Sequence, residues 1–302
     1  MDFGTISTVW ANLNKEAQIL FLAEPERMSL AEKIGQDNKD LVSNIEILDI
    51  STNDYWSKAR HLSQDDLLIV LLTMDGFMKK GYRETFSPFS KPAGLACKYI
   101  FIRLDIPEAS LLTGLNTDFC KVENIIQTCS AFLGGKTVHV TAPGGTDVAV
   151  KVKYQELLPW NAQGPGGNAF LPPAEITEEL DPHSVHGVIV ADITVGELRF
   201  YADLIDPLGL VDEKVVIRVE NGLVREITGG DIARRLKKGL DRLDKELQVV
   251  VELGHGLSDL SPTGIIGVDE SMNGTCHFGI GERNPYHVDV VVKSPRFTVS
   301  EG

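Results

Sequence analysis

Gln18-Ile19-Leu20-Phe21-Leu22-Ala23 is a short apolar run that ends before Pro25, and a helical pattern follows it from Met28 to about Val42. The same alternation continues along the first hundred residues, with a helical stretch at about 51–62 and further apolar runs at 45–50, 67–74 and 97–104. Short apolar runs separated by helices are typical of a parallel sheet covered on both faces. The first half therefore predicts an α/β domain with a mostly parallel sheet.

The pattern changes after a predicted helix at about 118–132, which we expect to end at Gly134-Gly135. Residues 136–141 and 147–153 alternate apolar with polar side chains across a Pro-Gly-Gly turn, which predicts a hairpin. Further alternating runs follow, together with one helix at about 230–247. We predict a boundary near residue 135, between an α/β domain (1–135) and a β-rich α+β domain (136–302).

Composition narrows the class of protein. The chain has 302 residues and a net charge of −14, which disfavours nucleic acid and anionic membranes as partners. It contains no run of about 18 apolar residues, and its start lacks a basic, then apolar, leader. Its four cysteines lie far apart, as in reduced proteins. We expect a cytoplasmic protein that acts on a small-molecule substrate.

Ionisable residues within apolar runs mark the last fifty positions as the chemical region. Glu252 lies at the end of the apolar run that begins at Val249, just before glycines, and His277 lies in a second run. His287 and Asp289 lie in a third, two residues apart, so a strand directs both side chains to one face. Such His–carboxylate pairs often only satisfy each other's hydrogen bonds. With a carboxylate from a neighbouring strand, however, they form a ligand set for a divalent metal, and burying them without a cation would be costly.

This set of imidazole and carboxylate groups suits Fe(II), Zn(II), Mn(II) or Co(II), and it leaves coordination positions open for substrate or water. We predict that Glu252, His287 and Asp289 are the first metal ligands. His277 is either an additional ligand or a hydrogen-bond donor to the substrate.

Five segments, in order, resemble the superfamily of thermophilic-type metallo-aminopeptidases (the leucyl aminopeptidase type) and 2,5-dihydroxypyridine 5,6-dioxygenases. They are the strand and hairpin Lys136–Asp147, the loop Gly166–Pro173, the strand end Val251–Gly256, the segment Asp269–Gly281 and the His287-x-Asp289 pair. The resemblance covers most of the chain after residue 136. It implies a metal-dependent enzyme and a homo-oligomer in which the N-terminal half forms one wall of a cleft.

The resemblance also shows where this chain departs from its relatives. The aminopeptidases hold two metals with two Glu, two His and one Asp, and Glu252, His277, His287 and Asp289 match four of these positions. The fifth falls on Asn168, and the catalytic Tyr of that family falls on Asn284. The dioxygenases use one Fe(II) with three protein ligands, which correspond by position to Glu252, His287 and Asp289, although those enzymes have His at the first.

Three hypotheses follow. The first is a mononuclear Fe(II) dioxygenase for a small aromatic or heteroaromatic substrate, with His255 and Tyr286 as acid–base or supporting groups unless they are exposed loop residues. The second is an aminopeptidase-like hydrolase in which Glu270 is the general base. The third is a relative that has lost its metal and serves as a binding protein, which the asparagines at 168 and 284 motivate.

Overall fold

A computed structural model of the chain describes residues 2–52, 55–130, 136–200, 203–282 and 286–300. These residues form seven α-helices: α1 Met28–Asn38, α2 Tyr55–His61, α3 Met74–Lys79, α4 Glu108–Leu115, α5 Phe119–Ser130, α6 Asp231–Leu240 and α7 Ile266–Asp269. Short helical turns of other types lie at Ile6–Trp10, Pro25–Arg27, Tyr82–Glu84, Pro182–Ser184 and Lys245–Leu247. None of the described helices is long and apolar enough to cross a membrane.

The described residues form eighteen strands. They are β1 Gln18–Ala23, β2 Asn44–Asp49, β3 Leu67–Leu71, β4 Lys98–Ile102, β5 Thr137–Thr141, β6 Asp147–Leu157, β7 Trp160–Asn161, β8 Asn168–Leu171, β9 Glu175–Leu180, β10 His186–Ala191, β11 Thr194–Phe200, β12 Asp203–Leu210, β13 Val215–Glu220, β14 Leu223–Thr228, β15 Val250–Gly256, β16 Thr275–Ile280, β17 Tyr286–Lys293 and β18 Arg296–Ser300. The apolar runs predicted in the first hundred residues all form strands: β1 has the predicted bounds, β2 is shifted by one residue, and β3 and β4 are shorter than predicted.

The chain divides into two compact units that are not separated at a single point near residue 135. The first unit comprises residues 1–119 and 158–174, and the second comprises 120–157 and 175–302. The reason is strand β8, which pairs parallel with β4 and so returns the chain to the first sheet. The predicted helix end at Gly134-Gly135 lies outside the described residues.

The first unit contains a mixed sheet in the order β2-β1-β3-β4-β8-β7, parallel except for β7. Strands β3 and β4 are buried along their whole length, as their continuous apolar runs require. The aromatic and aliphatic side chains around Phe86, Tyr99 and Phe101 form one core cluster on this sheet. This part of the fold matches the predicted α/β domain.

The second unit is built on a large, mostly antiparallel sheet in the order β12-β11-β17-β16-β15-β9-β6-β10-β13-β14, to which β5 and β18 are added. Helix α6 packs against it through Ile232, Leu236 and Leu240. This helix ends earlier than its apolar spacing predicts, and beyond its end the side-chain amide of Gln248 donates to the carbonyl oxygens of Leu240 and Leu243 (2.9 and 3.3 Å). These bonds satisfy carbonyls that a longer helix would have used.

Candidate metal centre

The register between β15, β16 and β17 places the candidate ligands on one face of the sheet. Glu252 lies opposite Gly279, and Gly279 lies opposite Asp289, so the two carboxylates flank the same glycine. His287 precedes Asp289 by two residues and shares its face. The neighbouring residues along the three strands, such as Leu253, Phe278 and Val290, belong to the core cluster on the other face. One face of this sheet therefore forms core while the other carries the ionisable groups.

Among the described residues, one group of side chains could enclose a metal ion. One ligand atom from each of Glu252, His287 and Asp289 lies within 4.8 Å of the other two. His287 Nε2 is 3.0 Å from Asp289 Oδ1 and 4.0 Å from Glu252 Oε2. All three are partly buried, with side chains 14–21% exposed. The side chains predicted as first ligands thus meet at one point.

A backbone contact orients the imidazole of His287. Its Nδ1 lies 2.8 Å from the carbonyl oxygen of Gly281, which only accepts hydrogen bonds, so Nδ1 carries the proton. Nε2, on the side of the carboxylates, is then available as a ligand atom. Metal-binding histidines in proteins are held in the same way by their second nitrogen.

Two glycines provide the space in which the histidine rings lie. A Cβ at Gly279 would stand 2.7 Å from Cε1 of His287 and 2.9 Å from Cβ of Glu252. A Cβ at Gly254, which pairs with His277, would overlap the ring of His277. Glycine is required at both positions because a histidine ring lies too close for any side chain, and not because the backbone adopts a positive φ.

His277 lies beside the three-residue group rather than in it. Its Nε2 is 3.2 Å from Glu175 Oε2 and 3.6 Å from Glu252 Oε1, and the side chain is 1% exposed. Glu175, at the start of β9, was not selected from the sequence. The alternation of Glu175, Thr177 and Glu179 with apolar or oppositely facing residues predicts that Glu175 lies on the polar face of the strand. Its position next to His277, however, results from the pairing of β9 with β15.

The carboxylates dominate the electrostatics of this face. Burial alone would lower the pKa of His287, but Asp289 and Glu252 outweigh it and raise that pKa to about 9. Burial would likewise lower the pKa of His277, whereas Glu175, Glu252, Asp289 and Glu270 raise it to about 10. In the metal-free protein, two imidazolium ions therefore supply positive charge where a divalent cation could supply it instead.

The three residues predicted to take part in catalysis, His255, Tyr286 and Glu270, do not belong to the group of Glu252, His287 and Asp289. His255 is three residues from Glu252 and lies on the opposite face, where its Nε2 is 2.9 Å from Glu178 Oε2 and its ring packs on Phe297. Tyr286 adjoins His287 and points into the core, and burial raises the pKa of its hydroxyl. Neither is an exposed loop residue, and neither side chain joins the three-residue group.

Glu270 follows helix α7 and acts on His277 through its charge. The preceding residue, Asp269, is fully buried and accepts hydrogen bonds from Thr263, Gly264 and Thr194, which fixes the loop that carries Glu270. Asn168 lies in β8 of the first unit. Asn284 lies outside the described residues.

A cavity of about 510 Å³ adjoins the candidate centre, and Glu252 and His287 form part of its wall. All the residues that line it belong to the second unit. This volume is within the range of small-molecule sites in proteins.

Comparison with known proteins gives structural matches only. No protein-family model matches the chain, and no curated protein matches its sequence. The solved structure of 2,5-dihydroxypyridine dioxygenase from Pseudomonas putida KT2440 is similar to it, with a TM-score of 0.60 and 14% identity over 98% of this chain and 92% of that one. Wild-type AmpT from Thermus thermophilus has a TM-score of 0.56 and 14% identity, over 99% and 96%. At this identity the matches show a shared fold.

Replacing Gly279 with Ala tests the geometry of the centre. We expect Gly279→Ala to displace the ring of His287 and to weaken binding of Zn(II) or Mn(II) by about 10–100-fold, the size of effect seen when support for a metal ligand is lost. Calorimetric titration of metal-free protein measures it. Gly164→Ala is the matched control, because a Cβ there meets nothing within 4 Å. Unchanged metal affinity in Gly279→Ala would contradict the geometry.

The raised pKa values predict how the stability of the metal-free protein depends on pH. His287 and His277 have pKa values of about 9 and about 10 in the folded state and about 6.5 when unfolded. Their contribution to stability is therefore complete below about pH 6.5 and is lost as pH rises through 9 to 10. Urea unfolding between pH 6 and 10 should show this fall, and His287→Gln should reduce it. His139→Gln, at an exposed site, should not; an equal fall in all three proteins would refute the assignment.

Proposed function

We propose that this protein is a mononuclear, non-heme Fe(II)-dependent dioxygenase that acts on a small aromatic or heteroaromatic substrate. The observation that supports it is the meeting of Glu252, His287 and Asp289 at the wall of a cavity. The shared fold with a 2,5-dihydroxypyridine dioxygenase is consistent with it.

The donor atoms fit such an ion. One imidazole nitrogen and two carboxylates form a mixed N/O set for hard or borderline divalent metals, and the two negative charges offset the charge of the ion. The carbonyl oxygen of Gly281 already holds His287 with Nε2 directed towards the carboxylates. Fe(II), when bound, would supply the redox chemistry that dioxygen requires. Zn, Mn and Co remain alternative ions for the same residues.

The protein's own groups would then bind and orient the substrate. His277 is held between Glu175 and Glu252, at the edge of the three-residue group, where it could donate a hydrogen bond to a substrate oxygen. Glu270 lies near enough for its charge to act on this imidazole. His255 and Tyr286 lie on the other face of the sheet, where His255 contacts Glu178 and Tyr286 packs in the core.

One observation favours the hydrolase as a second candidate. The two oxygens of Glu252 face different imidazoles, Oε1 towards His277 and Oε2 towards His287. A carboxylate so placed resembles one that bridges two cations, as in two-metal hydrolases. Bound metal would lower the pKa of a water molecule, and Glu270 would be the proton acceptor. Glu175 and His277 do not belong to the group of side chains that could enclose one ion, which consists of Glu252, His287 and Asp289 among the described residues.

Metal reconstitution separates the candidates. Metal-free protein loaded anaerobically with Fe(II) should bind one ion per chain and take up oxygen only when a dihydroxypyridine or catechol is present. Glu252→Gln, His287→Gln and Asp289→Asn should each lose metal and at least about 100-fold of this activity. His255→Gln, on the opposite face, should retain the metal.

Other outcomes of this experiment have distinct meanings. Cleavage of amino-acid anilides by protein loaded with Zn, Co or Mn without oxygen, and no oxygen uptake with Fe(II), would favour the hydrolase. Failure to bind any divalent ion would favour the metal-free binding protein and would reject both enzymes.

A further inference from the structure

Another cavity, of about 520 Å³, lies in the second unit, and all the residues that line it belong to that unit. Lys293, at the end of β17, forms part of its wall, whereas His287 lies near the start of the same strand. Six residues of extended strand separate the two, which is roughly 20 Å. This cavity is therefore a site distinct from the candidate metal centre.

Part of the wall of this cavity is apolar, formed by Ile193, Leu210, Val211, Pro262 and Met272. Ile193 and Met272 belong to one buried cluster, and the backbone N–H of Val211 donates to the carbonyl oxygen of Ile193 (2.8 Å). Leu210 is a large apolar side chain that remains 50% exposed. A ligand that covered Leu210 would remove apolar surface from water, which favours an apolar group in this part of the cavity.

The polar part of the wall brings two opposite charges together. Oδ1 of Asp192 accepts a hydrogen bond from the backbone N–H of Lys293 (2.8 Å), and Lys293 pairs across the sheet with Thr275. All three residues line the cavity. Thr275 also donates to the carbonyl oxygen of Met272 (2.7 Å), so this polar part adjoins the apolar part.

Neither charge is neutralised by a neighbour within the part of the chain that the structure describes. No carboxylate there lies within 4.0 Å of the ammonium group of Lys293, and no basic side-chain nitrogen lies that close to the carboxylate of Asp192. A Cβ at Gly144 would stand 2.6 Å from Oδ2 of Asp192, so the glycine leaves this oxygen uncovered. Both charged groups are therefore available to a ligand.

Opposite charges side by side favour a group that carries both. A carboxylate bound to Lys293 alone would stand beside Asp192, and an ammonium group bound to Asp192 alone would stand beside Lys293, so each would meet repulsion. An α-amino acid carries its ammonium and carboxylate groups on one carbon atom, and it would satisfy both charges at once. The apolar part of the wall then favours an apolar side chain on that carbon.

We propose that this cavity binds an α-amino acid with a large apolar side chain. The carboxylate of the ligand pairs with Lys293, its ammonium group pairs with Asp192, and its side chain lies against Ile193, Leu210 and Met272. Binding requires no metal, and the site has no part in the reaction proposed above.

Methionine labelled with ¹³C in its methyl group gives a local test, because Met272 is the one methionine in the second unit. L-Leucine should shift the signal of Met272 in metal-free protein, where it cannot chelate a bound ion. 4-Methylpentanoate and 3-methylbutylamine keep the apolar body but lack one charge, so both should bind at least about tenfold more weakly. L-Alanine should also bind at least about tenfold more weakly, because it buries less apolar surface.

Charge variants assign the effect to the two side chains. Asp192→Asn keeps an oxygen that can accept from Lys293, and it should weaken leucine binding about tenfold and abolish discrimination against 4-methylpentanoate. Lys293→Met keeps an unbranched apolar stem, and it should abolish discrimination against 3-methylbutylamine. Asp244→Asn and Lys238→Met remove the same charges from exposed positions and should change neither affinity nor discrimination.

Leu210→Ala tests the apolar part of the wall. Because the side chain of Leu210 is half exposed, its loss should leave the fold intact and should reduce the advantage of leucine over alanine. Equal or tighter binding of the acid or the amine would overturn the proposal. So would failure of leucine to bind, binding that leaves the Met272 signal unshifted, or an unchanged affinity for leucine in both Asp192→Asn and Lys293→Met.

Discussion

Repulsion between carboxylates on one face of the second sheet is the constraint on which the candidate centre depends. Glu252 and Asp289 flank Gly279. A third carboxylate on the same face, that of Glu175 in β9, contacts His277. The valine and phenylalanine side chains on the other face hold these strands in register, so the carboxylates cannot separate. Burying such charges without positive partners would cost several kcal/mol, on the order of the whole stability of a domain.

Positive charge therefore has to be supplied at this point, and the protein offers two ways to do so. Protonation of His277 and His287 provides it without metal, which is why the pKa values of both imidazoles lie well above their ordinary range. A divalent ion held by Glu252, His287 and Asp289 would provide it by displacing the proton from Nε2 of His287. Beyond the three-residue group, the carboxylates of Glu156, Glu179 and Glu282 also line the adjoining cavity.

Local periodicity was sufficient to predict part of this site. Residues 287 and 289 had to share a strand face, and Glu252 had to lie near a strand end in the same domain. The same rule excludes two of the predicted catalytic residues from this face, because odd separations along a strand place His255 away from Glu252 and Tyr286 away from His287. The α/β character of the first unit also followed from its apolar runs.

Pairings between distant segments could not be predicted in this way. Strand β8 joins the first sheet from a Gly- and Pro-rich segment, and its pairing with β4 spans almost seventy residues of sequence. Glu175 reaches His277 only because β9 pairs with β15, and the bulge between Val250 and Glu252 sets which carboxylate faces which imidazole. Register of this kind depends on long-range packing.

Anomalous X-ray scattering from crystals of the metal-loaded protein tests the central claim most directly, because it locates an ion independently of any activity. The account predicts one principal peak about 2.0–2.3 Å from Nε2 of His287 and from carboxylate oxygens of Glu252 and Asp289. A well-occupied ion bound elsewhere, with these three side chains contacting only one another, would contradict it.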